Sequence, residues 1–233
     1  MPTETPCDQP PRFSAVIFDM DGLLLDTERI ALETFGQACR ELQIGDHPEV
    51  FFRCLGTSHI RAREFIREGM QGKVDHDIFW NEWDRHYKAA HASQPVPLKP
   101  GVTPLLTMLA SRQLPMAVAT STRSADALQK LESAGIVGHF TAIIGGEQVE
   151  DGKPHPAIYL KAARTLGVNP ADCLALEDSD NGVRAAVAAG MTVIQVPDLV
   201  PPSAALRELG HTVLASLDDV GAFAFGSAGE RPA

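Results

Sequence analysis

Residues 13–22 read Phe13-Ser14-Ala15-Val16-Ile17-Phe18-Asp19-Met20-Asp21-Gly22. The first six form a short, nearly continuous apolar run, the pattern of a strand buried on both faces of a parallel sheet. Directly after it stand two carboxylates two residues apart, followed by a glycine that lets the chain turn away. In parallel α/β sheets ligands bind beyond the carboxyl ends of the strands, so this junction is where chemistry is expected.

Equivalent runs recur at Met116–Ala119, Ala142–Ile144, Cys173–Leu176, Thr192–Val196 and Thr212–Leu214. Between them the apolar spacing is helical. Val102, Leu105, Leu106 and Leu109 form one such set. Leu128, Leu131 and Ala134 precede Gly135; Ile158, Ala162 and Leu166 precede Gly167; Val183, Ala186 and Val187 precede Gly190. A glycine just past the last apolar position is a helix stop signal. The alternation predicts an α/β fold, a Rossmann-like parallel sheet core covered by helices on both faces.

Residues 27–98 break the alternation. They show no strand pattern but three helical stripes: Ala31, Phe35, Ala38 and Leu42; Ala62, Phe65 and Ile66; and Phe79, Trp83, Tyr87 and Ala90. Pro95, Pro97, Pro100 and Gly101 then punctuate the return to the α/β pattern. The expected organisation is a catalytic core of residues 13–26 and 99–225, a helical cap domain of residues 27–98 inserted into it, and tails at 1–12 and 226–233.

Composition narrows the partners. The 233 residues are 44% hydrophobic and 21% charged, which suits a globular chain and excludes collagen, coiled-coil and disordered classes. With 20 Lys and Arg against 30 Asp and Glu, the net charge of −10 opposes binding to nucleic acid or an anionic membrane surface. The four cysteines have no C-x-x-C spacing, and no basic-then-apolar leader opens the sequence. A reduced, cytoplasmic setting, no membrane segment and a monomer are the expectations.

The residues after the strands carry a consistent chemistry. Asp19 and Asp21 follow the first, Thr120-Ser121-Thr122 the second, Asp151-Gly152-Lys153-Pro154 the third, and Glu177-Asp178-Ser179-Asp180 the fourth. Mg²⁺ takes hard oxygen ligands, which Asp19 and Asp178 can supply. Lys153 and the Thr120 hydroxyl can hold phosphate oxygens and stabilise transferring charge. No G-x-S-x-G nucleophile elbow is present, which leaves an aspartate as the natural nucleophile for phosphoryl transfer. The near-match to a phosphate-binding loop at Gly152-Lys153 fails, because position 147 is Glu and position 154 is Pro.

Asp19-Met20-Asp21-Gly22 with Asp26-Thr27-Glu28, the Val118-Ala119-Thr120-Ser121-Thr122 run, Gly152-Lys153-Pro154 and Leu176-Glu177-Asp178-Ser179 together resemble the four ordered motifs of the haloacid dehalogenase superfamily. The inserted helices resemble the cap of its β-phosphoglucomutase-like subgroup. The resemblance implies Asp19 as nucleophile, Asp21 as general acid and base, and Thr120 and Lys153 as phosphoryl-binding groups. It implies Mg²⁺ held by the Asp19 and Asp178 carboxylates and the Asp21 backbone carbonyl, with Glu177 direct or through water.

Within that family the resemblance favours a phosphatase of small phosphorylated metabolites, sugar or polyol phosphates in particular. The alternatives are a phosphosugar mutase, a phosphoglycolate phosphatase, and a non-enzymatic binding protein that keeps the fold. β-Phosphoglucomutases carry a histidine ten residues after the second aspartate and a cap arginine after a glycine; Ala31 and His59 stand at the corresponding positions. Ser121, Glu28, His59 and Arg123 are the candidate substrate-binding residues, while Trp80 and Trp83 are expected in the cap core.

Overall fold

The computed structural model describes residues 13–226 apart from 56, 58 and 94. The expected tails lie outside the described residues except for Gly226. Six strands form one sheet: β1 (Ala15–Phe18), β2 (Met116–Ala119), β3 (Ala142–Ile144), β4 (Cys173–Glu177), β5 (Thr192–Gln195) and β6 (Thr212–Val213). Their order is β3-β2-β1-β4-β5-β6, and every pairing is parallel. Val16 pairs with Met116 on one side and Leu174 on the other, so β1 lies at the centre. The chain moves outward from β1 to β3, then restarts at β4 beside β1. That reversal opens a crevice between β1 and β4 at their carboxyl ends.

Both faces of the sheet are covered, which is why β1, β2 and β3 are apolar along their whole length and β4 is apolar up to Glu177 at its tip. Val16, Phe18, Met116, Val118, Leu174, Leu176 and Ile194 face one layer, with α5 (Val102–Ser111), α6 (Ser124–Ser133) and α10 (Asp218–Phe225). Ala15, Ile17, Ala117, Ala119, Cys173, Ala175 and Val193 face the other, with α7 (Ala157–Leu166) and α8 (Asp180–Ala188). Alanines on both sides of that second interface let α7 and α8 approach the sheet closely, Ala162, Ala163, Ala185 and Ala186 all being fully buried. The short α9 (Ala204–Arg207) precedes β6. Gly135, Gly167 and Gly190 have φ of +73°, +72° and +79°, the left-handed conformation that ends a helix.

Between β1 and α5 lie four helices: α1 (Thr27–Glu41), α2 (Pro48–Cys54), α3 (His59–Gly69) and α4 (His76–Ser93). They enclose a separate apolar cluster centred on Phe35, whose ring lies 5.7 Å from Phe51, 4.9 Å from Phe79 and 5.3 Å from Trp83, all edge-on. Trp80 and Trp83 belong to this cluster, as expected, and the Trp83 indole donates to the Ala31 carbonyl. The two connections to the sheet run side by side: the Asp26 amide donates to the Pro97 carbonyl at 2.9 Å and the Lys99 amide to the Leu24 carbonyl at 3.0 Å.

Three details depart from the sequence pattern. The seven-residue α2 has too few turns to show a stripe. Leu128 is 41% exposed, outside the buried face made by Ala127 and Leu131. Tyr87 leaves the third cap stripe and turns to the core, where its hydroxyl accepts from Lys130.

Candidate active site

The crevice between β1 and β4 gathers the strand-end residues. β1 ends as the Asp19 amide donates to the Leu176 carbonyl at 2.9 Å, which carries the first carboxylate to the level of the β4 tip. The chain then turns tightly, the Leu25 amide donating to the Met20 carbonyl. Gly22 sits in this turn at φ +87°, and a Cβ there would stand 2.5 Å from Asp178 Oδ2. No other residue serves at this position, on conformational and steric grounds alike.

Lys153 reaches in from the loop after β3 with its side chain only 2% exposed. Its Nζ lies 2.5 Å from Asp19 Oδ1 and 2.6 Å from Glu177 Oε1. Glu177 is itself fully buried and held by further donors. The Tyr159 hydroxyl donates to Oε1 at 2.6 Å, and the Asp178 amide, Ser179 amide and Ser179 hydroxyl donate to Oε2. The Gln195 side chain donates to the Asp178 carbonyl and fixes the β4 tip.

Asp21 points to the opposite wall. Thr122 Oγ1 donates to its Oδ2 at 2.6 Å, Thr120 Oγ1 lies 3.4 Å from the same oxygen, and Lys130 Nζ lies 3.0 Å from Oδ1. The two aspartates therefore sit in unlike environments. Burial pushes the Asp19 carboxyl up to about 7 despite the Lys153 charge, and burial with the neighbouring Glu28 charge pushes Asp178 well above the usual carboxylate range. Burial acts on Asp21 too, but the Lys130 charge and the Thr122 hydrogen bond outweigh it and hold Asp21 below its ordinary value.

Ligand oxygens of Asp19, Glu177 and Asp178 lie within 4.8 Å of one another, all three residues buried. When all three are ionised they outnumber the Lys153 ammonium in a desolvated place, an excess of negative charge that a hard cation held by Asp19 and Asp178 would offset.

Glu28, in the first turn of α1, is also buried here. Burial and the Asp198, Asp21 and Asp19 charges push its carboxyl up to about 9. Ser121 is partly buried at the β2 tip, and Arg123 is exposed at the start of α6, where its charge acts on Glu147. His59 begins α3, and its side chain lies outside the described residues. The site thus brings together Asp19, Asp21, Thr120, Lys153, Asp178 and Glu28, with Ser121 beside them.

Sequence reasoning gave Tyr87 only a place in a cap stripe and did not single out Lys130, Tyr159 or Gly182. Lys130 had a signal: it lies three residues after Ala127 and directly before Leu131, next to the buried face of α6. Tyr159 and Gly182 had none, since both read as ordinary helix positions.

Residues 16–196 match the family model described as haloacid dehalogenase-like hydrolase. The chain belongs to the haloacid dehalogenase-like hydrolase family. This hydrolase is 30% identical over 207 residues to a Thermotoga maritima protein named phosphorylated carbohydrates phosphatase, covering 88% of this chain and 95% of that one. It is likewise 30% identical over 188 residues to the β-phosphoglucomutase of Bacillus subtilis, covering 78% and 82%. Among solved structures, a HAD family hydrolase from Deinococcus radiodurans with bound phosphate and sodium superposes with a TM-score of 0.76 at 28% identity, covering 91% of this chain and 95% of that one. Among the described residues, no helix is long and apolar enough to cross a membrane.

Proposed function

We propose that this hydrolase is a Mg²⁺-dependent phosphatase of small phosphorylated carbohydrates, working through an aspartyl-phosphate on Asp19, with residues 27–98 as the cap over the site. The observation that carries the reading is the placement of Lys153 between Asp19 and Glu177 at the sheet's switch point, with Asp21 on the facing wall. The name of the Thermotoga maritima relative supports the substrate class.

Asp19 attacks phosphorus in line while the Lys153 ammonium and the Thr120 hydroxyl hold phosphoryl oxygens. The leaving alkoxide takes a proton from Asp21, and the Asp19 carboxylate becomes an acyl phosphate. Asp21 then takes a proton from water, which attacks phosphorus, releases inorganic phosphate and restores Asp19. Glu177, occupied by its donors, orients Lys153. The Asp19 and Asp178 carboxylates and the Asp21 backbone carbonyl are the groups that would hold Mg²⁺. When bound, the cation neutralises charge on the phosphoryl oxygens and favours ionised Asp19.

Cap side chains select the leaving group, with Glu28, His59, Ser121 and Arg123 as candidate contacts. The mutase reading has less support: at Ala31 a methyl group packs in the cap cluster, so that position offers no side chain to move a proton.

The test is phosphate release from hexose, pentose and polyol phosphates, phosphoglycolate and nucleotides, with Mg²⁺ and with EDTA. Metal-dependent release concentrated on sugar or polyol phosphates, and absent from Asp19→Asn, is the expected result. Turnover retained by Asp19→Asn removes the acyl-phosphate mechanism. Conversion of β-glucose-1-phosphate to the 6-phosphate, with no hydrolysis of any substrate, replaces the phosphatase with a mutase.

A further inference from the structure

Two ammonium groups enter the site, and they do different things. Lys153 stands against Asp19 and Glu177, beside the attacking carboxylate. Lys130 comes from α6 on the far side, with its side chain 15% exposed and its Nζ 3.0 Å from Asp21 Oδ1. The same Nζ lies 3.3 Å from the Tyr87 hydroxyl, which belongs to α4 on the other side of the linkers. Tyr87 is itself braced: the His91 ring packs on it with centroids 4.0 Å apart, and His91 Nδ1 lies 2.9 Å from the Tyr87 carbonyl.

A short carboxylate that must give a proton to one oxygen atom and take one from another has to be kept in one rotamer. Here each Asp21 oxygen has its own donor, Thr122 on Oδ2 and Lys130 on Oδ1, and together they fix the plane of the group. The Thr122 donor sits on a short side chain in the bend between β2 and α6, where the Thr122 amide donates to Thr120 Oγ1. The Lys130 donor sits on a long flexible side chain, whose free rotation would otherwise cost entropy to hold still. Tyr87 supplies the missing restraint, because its hydroxyl accepts from the same ammonium, and it does so only while α4 is seated against the core.

We propose that Lys130 is a positioning residue that fixes the Asp21 carboxylate, and that Tyr87 makes this hold depend on the seating of α4 over the site. The inference rests on the phosphatase reading, in which Asp21 is the proton-transfer group. Lys130 then acts on the rate of the chemical steps, while substrate phosphate is still held by Lys153 and Thr120. Removing Lys130 lowers kcat and leaves KM nearly unchanged.

The experiment measures kcat and KM for the best phosphomonoester on the wild type, Lys130→Met, Lys130→Gln, Lys130→Arg, Tyr87→Phe and Lys130→Met/Tyr87→Phe, each first checked for an intact thermal transition. Expected is a kcat loss of about tenfold to 10²-fold in Lys130→Met and Lys130→Gln, with KM within about twofold. Lys130→Arg, which keeps the charge and the reach, recovers most of the rate. Tyr87→Phe loses less than Lys130→Met, and adds nothing in the Lys130→Met background, because it acts through the ammonium that is already gone. Should Lys130→Met fail to fold, Lys130→Gln and Tyr87→Phe carry the same comparison.

Unchanged kcat in both truncations, or a rise in KM alone, overturns the positioning role. Additive losses in the double variant overturn the part given to Tyr87. A wild type that releases no phosphate at all, in an assay validated with another phosphatase, overturns the phosphatase reading and this inference with it. An active wild type, silenced by Asp19→Asn but indifferent to Lys130, overturns this inference alone.

Discussion

Gly182 lies so close to the Glu177 carboxylate that a Cβ on it would stand 1.7 Å from Glu177 Oε1. The helix α8 begins over this carboxylate, and the glycine is the space it occupies. An alanine inside a helix ordinarily gains up to about 1 kcal/mol over glycine. Here the gain is outweighed, because Glu177 cannot swing aside without leaving Lys153, Tyr159 and Ser179. Gly182→Ala is expected to destabilise the protein by about 1–3 kcal/mol, as overpacking does. It should also lower kcat by displacing Lys153. An unchanged urea midpoint together with full activity would show that Glu177 has another place to go.

Tyr159 tests the same network from the other side. It is fully buried on α7, and its hydroxyl donates to Glu177 at 2.6 Å. Tyr159→Phe keeps the ring and removes one hydrogen bond to a charged group, an expected loss of about 1.5–3 kcal/mol. Because Lys153 still holds the same oxygen, activity should survive better in this variant than in Gly182→Ala. Chemical denaturation and steady-state rates measured on the two variants together decide the order; the reverse order would mean that Tyr159, not the space at Gly182, fixes Lys153.

The metal-free protein carries a pH signature. Glu28 has an ordinary value of 4.5 and is pushed up to about 9 by burial and by Asp198, Asp21 and Asp19, while burial raises Asp19 from 3.8 to about 7. Between those values the folded protein holds protons that the unfolded chain has released. Stability is therefore fully present below the unfolded values and is lost as pH rises through the folded ones. In EDTA the Tm should fall from about pH 5 to about pH 9. Glu28→Gln should flatten the upper part of that fall, and Mg²⁺ should flatten it further by supplying the missing positive charge. A Tm that rises with pH across this window contradicts the assignment.

Much of this was legible in the sequence, for a physical reason. A strand buried on both faces must be apolar throughout, so Phe13–Phe18 and Cys173–Leu176 announced β1 and β4, and the carboxylates after them could only stand at the strand tips. Gly135, Gly167 and Gly190 marked helix ends because only a left-handed turn fits there. What stayed hidden depends on contacts between distant segments. Tyr87 kept the spacing of a cap stripe yet faces Lys130, since helical periodicity gives a face but not the partner opposite it. Asp198, 170 residues from Glu28, raises the cost of ionising Glu28 only because the linker into α1 meets the loop after β5, and no local pattern records that.

That linker carries the last prediction. The Asp198 side chain is 1% exposed, with Lys99 Nζ at 2.5 Å and Arg29 Nη2 at 3.7 Å. Arg29 also lies 3.2 Å from Asp26, and Lys99 lies 3.5 Å from it, so one cluster of four charges ties both connections of the helical insert to the loop after β5. The cluster borders a cavity of about 330 Å³, and Asp198 Oδ2 has no hydrogen-bond partner among the described residues. Lys99→Met strips the close counter-ion from a buried carboxylate, an expected loss of about 3 kcal/mol. Asp198→Asn should be milder, because its amide oxygen still accepts from Lys99 while the repulsion felt by Glu28 is relieved. The double variant Lys99→Met/Asp198→Asn should therefore be more stable than Lys99→Met by itself, since the uncompensated charge is gone. Urea unfolding of the three proteins reads this directly. If Lys99→Met is as stable as the wild type, Arg29 is sufficient to neutralise Asp198 and the cluster is held from the α1 side.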